Sequence, residues 1–126
     1  MANTVKDSDV LETEARAALR LKVMRVIEAN PEMSQREIAS KLGASLGGVN
    51  YAIQALVERG FVKAHNFRKS GTKVAYMYVL TPAGIAEKTS LATAFLGRKL
   101  EEYEVLRQEI EALKSEVDSD VLAMGA

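Results

Sequence analysis

The chain has 126 residues, the size of one compact domain with an appendage, and 48% of them are hydrophobic, enough to build a core. Its 17 basic and 17 acidic side chains cancel to a formal net charge of zero. With no cysteine and one histidine, disulfide scaffolds, thiolate zinc sites and iron–sulfur clusters are excluded, and a histidine-based triad has too few parts. No cofactor and no metal are expected, and an enzyme is not. No apolar run reaches the roughly 18 residues of a membrane span. The start, Met1 to Asp7, lacks the apolar stretch of a secretory signal, so a soluble cytoplasmic chain away from membranes is expected.

The first helix is predicted from Asp9 to Ala29, after a frayed start over 1–8. Ala15, Ala18, Leu19, Val23, Val26 and Ile27 recur at three- and four-residue steps, with Arg16, Arg20 and Arg25 mostly on other faces. Asn30-Pro31 stops it, because the residue before proline is pushed out of the helical region. Ser34-Gln35-Arg36-Glu37 then reads as a capping box, the Ser34 hydroxyl accepting from the Glu37 amide and the Glu37 carboxylate reaching back to the Ser34 amide. Ile38, Ala39 and Leu42 give a short apolar face that ends at Gly43. Ser45 opens a third helix whose buried stripe is Val49, Ala52, Ile53, Leu56 and Val57, closed by Gly60. Two short helices joined by a Gly-Ala-Ser turn form a helix-turn-helix pattern.

Two strands are predicted next, Phe61 to Phe67 and Lys73 to Leu80, joined by the basic loop Arg68-Lys69-Ser70-Gly71-Thr72. Thr81-Pro82 then starts a last helix, threonine as N-cap and proline at the first position. From Leu96 a heptad places Leu96, Tyr103, Ile110 and Val117 at a, and Lys99, Leu106 and Leu113 at d. Glu102, Glu109 and Glu116 take g, and Arg107 and Lys114 take e, a charge pattern that favours a parallel pair over an antiparallel one. A helix packed back on its own domain is the competing reading. The expected architecture is mainly α with one small antiparallel hairpin: a winged helix-turn-helix followed by a long C-terminal dimerisation helix. Its parts are the start (1–8), the winged domain (9–81), the coiled coil (82–117) and a flexible tail (118–126).

The neutral total conceals an asymmetry. Residues 1–33 hold five Lys/Arg and six Asp/Glu, residues 34–80 seven and two, and residues 81–126 five and nine. The segments therefore carry −1, +5 and −4, which places a polyanion contact in the middle of the chain. In a helix-turn-helix the second helix enters the major groove. Its candidate contacts are Ser45, Gly47, Gly48, Asn50, Tyr51 and Gln54, of which Asn50 and Gln54 are the types that pair bidentately with adenine. Gly47 and Gly48 either let the helix start approach the nucleic acid closely or satisfy helix packing. That helix has no Lys or Arg before Arg59, so phosphate contacts fall to Arg36 and Lys41 before it, and to Arg68, Lys69 and Lys73 on the hairpin. His65 reads as an ordinary strand residue, and Tyr76 and Tyr78 as core. A small-molecule cleft lined by Met24, Met77 or Tyr78 has no support in the pattern.

These residues in this order resemble a known group. Asn30-Pro31, Ser34 to Glu37, Leu42-Gly43, Ser45 to Gly47, Val49-Asn50-Tyr51, Ala55-Leu56, Gly60 to Lys63, Asn66-Phe67-Arg68 and Leu80 to Gly84 look like the MarR-type regulators associated with exopolysaccharide gene clusters. The similarity runs on through Arg98-Lys99 and Glu101 to Glu104, covering roughly residues 19–114. The resemblance implies a bacterial winged-helix transcription factor that dimerises and binds double-stranded operator DNA. One departure is Gly48, where that group tends to carry a basic residue, so base contacts are not carried over there. The other class of function compatible with the sequence is a protein-interaction module that does not use its helix-turn-helix on DNA.

Overall fold

The computed structural model describes the backbone of residues 7–68 and 74–125, and side chains over 13–66 and 77–125. The order is α1 (Asp7–Ala29), α2 (Gln35–Leu42), α3 (Leu46–Glu58), β1 (Val62–Arg68), β2 (Val74–Leu80) and α4 (Pro82–Gly125). The fold is therefore mainly helical with one two-stranded antiparallel hairpin, the winged helix-turn-helix order, followed by a long helix. The chain divides into two compact units, Met1–Leu91 and Ala92–Ala126.

In the first unit, local signals set the helix ends. The Ser34 hydroxyl accepts from the Glu37 amide at 3.2 Å and donates to the Glu37 carboxylate at 3.1 Å. The carboxylate thus closes the box on the hydroxyl, where the sequence suggested the Ser34 amide. Gly43, at φ +63°, and Gly60, at φ +75°, take the left-handed backbone that glycine adopts without strain. After α3, Phe61 N donates to Leu56 O at 2.9 Å and Gly60 N to Val57 O at 3.0 Å, the paired bonds of a Schellman stop.

The core joins three helices to the base of the hairpin. Val23, Met24, Val26 and Ile27 of α1 meet Ile38 and Ala39 of α2, the α3 stripe Val49, Ala52, Ile53 and Leu56, and Val62 and Tyr78 of the strands. Five of the expected stripe positions are not fully buried, of which Leu19 and Leu42 are half-buried against the core. Ala15 is exposed and Ala18 half-buried, because the centre of the α1 stripe lies further along at Leu21, Val23 and Met24. Val57 is 40% exposed, since it borders an open groove beside the short α2.

The strands pair from Val62 opposite Leu80 to Arg68 opposite Val74. Tyr78 N also donates to Pro31 O at 3.0 Å, fastening the hairpin to the α1–α2 connection. Thr81 locks the exit of β2: its amide donates to Phe61 O at 3.0 Å, and its hydroxyl donates to Gly60 O at 2.6 Å while accepting from Gly84 N at 3.0 Å. Gly84 is buried there, and a Cβ on it would stand 2.0 Å from Phe61 O, so only glycine fits. Lys88 pairs with Glu28, tying the start of α4 to α1.

The second unit is helical from Ala92 to Gly125, and its large apolar side chains from Leu96 to Met124 are exposed. The helix continues past Val117, where the sequence reading ended it. No proline follows Val117, and the only glycine, Gly125, stands at the end, so nothing local interrupts the hydrogen-bond ladder. Short-range ion pairs line its surface, Lys99 to Glu102 at 3.1 Å and Arg107 to Glu104 at 2.7 Å. The Arg107 guanidinium holds the Glu104 carboxyl below its usual range, and Glu104 in turn raises Arg107. No helix among the described residues is long and apolar enough to cross a membrane, and no group of three potential metal ligands occurs among them.

Candidate nucleic-acid interface

The site is built on α3. Ser45, in extended conformation, accepts from Gly48 N at 3.0 Å and so fixes where the helix starts. From that start, burial of Val49, Ala52, Ile53 and Leu56 turns the opposite side of the helix outward. Gly47, Asn50, Tyr51 and Gln54 are exposed there. Their common orientation follows from the three- and four-residue spacing.

The two glycines separate in role. A Cβ at Gly47 would meet nothing within 4 Å, so that point of the outward face is bare backbone. A Cβ at Gly48 would stand 3.0 Å from Ser45 Oγ and 3.7 Å from Leu19 Cδ2. Gly48 therefore lies under the cap and against α1, and the packing account of this glycine is the one its surroundings support. A larger residue there would press on the serine that starts the helix.

Tyr51 is 62% exposed, and the Arg16 guanidinium lies over its ring, 5.6 Å from the centroid. Arg16, on α1, is a neighbour of the α3 surface that helical periodicity could not connect with it, because the contact spans two elements. On the other flank, an open groove of about 970 Å³ runs between α2, α3 and the hairpin base. Arg36 and Glu37 line one wall and Leu46, Asn50, Gln54 and Val57 another. Glu32 and Glu58 border the same groove, so it is not cationic in itself. Arg36, Lys41, Arg59 and Lys63 are exposed on the surrounding elements.

Arg68 closes β1, while Lys69 and Lys73 lie outside the described residues, as does the Arg68 side chain. His65 is exposed on β1. Met24 and Tyr78 are core residues, and Gln35 Nε2 donates to the Tyr78 hydroxyl at 3.0 Å. Met77 borders a separate depression beside Pro31, so these three do not share a cleft.

Comparison with known proteins agrees with this architecture. The family described as winged helix-turn-helix DNA-binding matches residues 16–63, from α1 to the start of β1. No curated protein matches the chain by sequence. Among solved structures, a point mutant of MepR from S. aureus is 15% identical, with 95% of this chain and 99% of that one covered and a TM-score of 0.55. ZitR of Lactococcus lactis, as a double mutant in apo form, is 20% identical over 92% of this chain and 86% of that one, TM-score 0.54. The adhesin competence repressor AdcR of Streptococcus pyogenes is 17% identical over 86% and 75%, TM-score 0.52. Residues 16–63 are thus similar to the winged helix-turn-helix DNA-binding family, and the fold of the chain is the one seen in MepR, ZitR and AdcR.

Proposed function

We propose that the chain is a homodimeric, sequence-specific regulator of transcription that acts by occupying a palindromic site on double-stranded DNA. Support for this comes above all from the outward face of α3, where Asn50, Tyr51 and Gln54 are exposed on a helix capped at both ends and backed by a closed core. In this reading residues 9–81 bind DNA. Residues 45–59 enter the major groove, and the hairpin over 66–73, with Arg68, Lys69 and Lys73, reaches phosphates or the minor groove. Arg36 and Lys41 supply further phosphate contacts, Ser45 adds its hydroxyl, and bare Gly47 allows close approach.

The dimer forms through residues 82–117, with Leu96, Tyr103, Leu106, Ile110, Leu113 and Val117 along a parallel coil. Such a pair would cover an apolar stripe that is exposed in the single chain. The resemblance to the exopolysaccharide-associated group extends this reading to control of exopolysaccharide genes. AdcR, a neighbour in fold, is named a repressor, and repression by occupancy is the simplest action for such a device.

The test is genomic binding-site mapping with the purified protein and competitor DNA. The reading predicts a small set of two-fold symmetric sites, with half-sites about 10–10.5 bp or a multiple apart, some beside exopolysaccharide genes. Affinity should fall with salt, and Arg68→Ala should reduce the log–log slope by about one unit for one lost phosphate contact. Enrichment of no site, with salt-insensitive retention of bulk DNA, would remove the reading.

A further inference from the structure

We propose that α3 selects A·T base pairs within each half-site, through Asn50 and Gln54. This rests on the DNA-binding reading above and adds the base chemistry to it. The helix itself supplies no cation to its outward face: its exposed members are Leu46, the bare Gly47, Asn50, Tyr51, Gln54, Val57 and Glu58. The nearby cations Arg16 and Arg36 belong to α1 and α2. The commonest way a protein fixes a guanine is an Arg or Lys on its O6 and N7. Between Leu46 and Glu58 the helix offers neither. An asparagine or glutamine, by contrast, accepts from adenine N6 and donates to N7 in one bidentate pair.

The structure adds what the sequence leaves open, namely that both amides are accessible and lie along one side of the helix. Asn50 and Gln54 are both exposed and both line the groove beside α2. Neither amide is held in a hydrogen bond described for the chain, whereas Gln35 nearby is committed to Tyr78. Four residues of α-helix advance about 6 Å, close to two base-pair steps of roughly 3.4 Å. The two adenines should therefore stand about two pairs apart. Leu46, one turn before Asn50 and 41% exposed, brings an apolar group to the same groove. Apolar contact of that kind is what distinguishes the thymine methyl.

The experiment is selection of the full chain on a random duplex pool at fixed salt. It is followed by titration of the recovered site and an unrelated duplex with wild type, Asn50→Ala and Gln54→Ala. We expect A·T enrichment at two positions about two pairs apart in each half-site. Each variant should relax one of them, losing about 5- to 150-fold in the ratio of affinities for the recovered site and the unrelated duplex. Replacing one adenine at a time by 7-deazaadenine, which removes only the N7 acceptor, should weaken wild type and leave unaffected the variant that lacks the amide paired with that adenine. G·C enrichment at those positions, or A·T selection that survives both variants, would overturn the inference and leave DNA binding standing. Failure to hold any duplex would bring down the DNA-binding reading itself.

Discussion

The two units of this chain solve the problem of apolar surface in opposite ways. The first closes its own core: twelve residues from α1, α2, α3 and the hairpin form one buried cluster. The second buries none of its large apolar side chains, although Leu96, Leu106, Ile110, Leu113 and Val117 recur at heptad spacing. A core of the first kind supports a unit that stands alone. A helix of the second kind gains little from propensity, since isolated helices are marginal in water without packing. In the proposed reading the two units take different partners, duplex DNA for the first and a second copy of the chain for the second.

The largest expected effect lies in the first unit. Gly84→Ala forces a methyl against the Phe61 carbonyl, at 2.0 Å without relaxation. We expect a loss of about 3 kcal/mol or more, read as a lower urea midpoint; an unchanged midpoint would show that the Thr81 junction yields freely. In the second unit Ile110→Ala should act on association. Removing that side chain from a coil interface costs about 1.5–3 kcal/mol, more than tenfold in the dimer dissociation constant by sedimentation. Because alanine favours helix, helicity should persist; a wild-type dissociation constant would contradict the heptad assignment.

The smallest effect is electrostatic. The Glu104 carboxyl is held below its usual range by Arg107, so the attraction is present above the unfolded carboxylate value. It is lost as the pH falls through the lower folded value. Acidification should therefore reduce helix content slightly by far-UV circular dichroism, and less so in Arg107→Ala. Because the pair is solvent-exposed, added salt should shrink the difference.

Much of the fold is legible in local chemistry. Ser34, Ser45 and Thr81 mark helix starts and Gly43 and Gly60 mark stops, since each acts on backbone groups within a few residues. What depends on distant partners is not. The Gly84–Phe61 contact, the Pro31–Tyr78 bond and Arg16 over Tyr51 join segments that no periodicity relates. Val57 shows the same limit, because its position on the stripe is right and its exposure depends on where α2 stops short. Of the interface, the exposure of Asn50, Tyr51 and Gln54 follows from the α3 stripe alone, whereas the different surroundings of Gly47 and Gly48 required coordinates. The length of α4 beyond Val117 is not legible from the heptad, which stops there, although no proline or glycine breaks the helix between that point and Gly125.

The central claim is that two copies, joined through their long helices, hold one duplex with two equivalent α3 surfaces. Hydroxyl-radical footprinting of the full chain on its selected duplex tests it most directly. The account predicts two equal protected patches on one face of the DNA, their centres about one helical turn or a whole multiple apart. A single protected patch would contradict it.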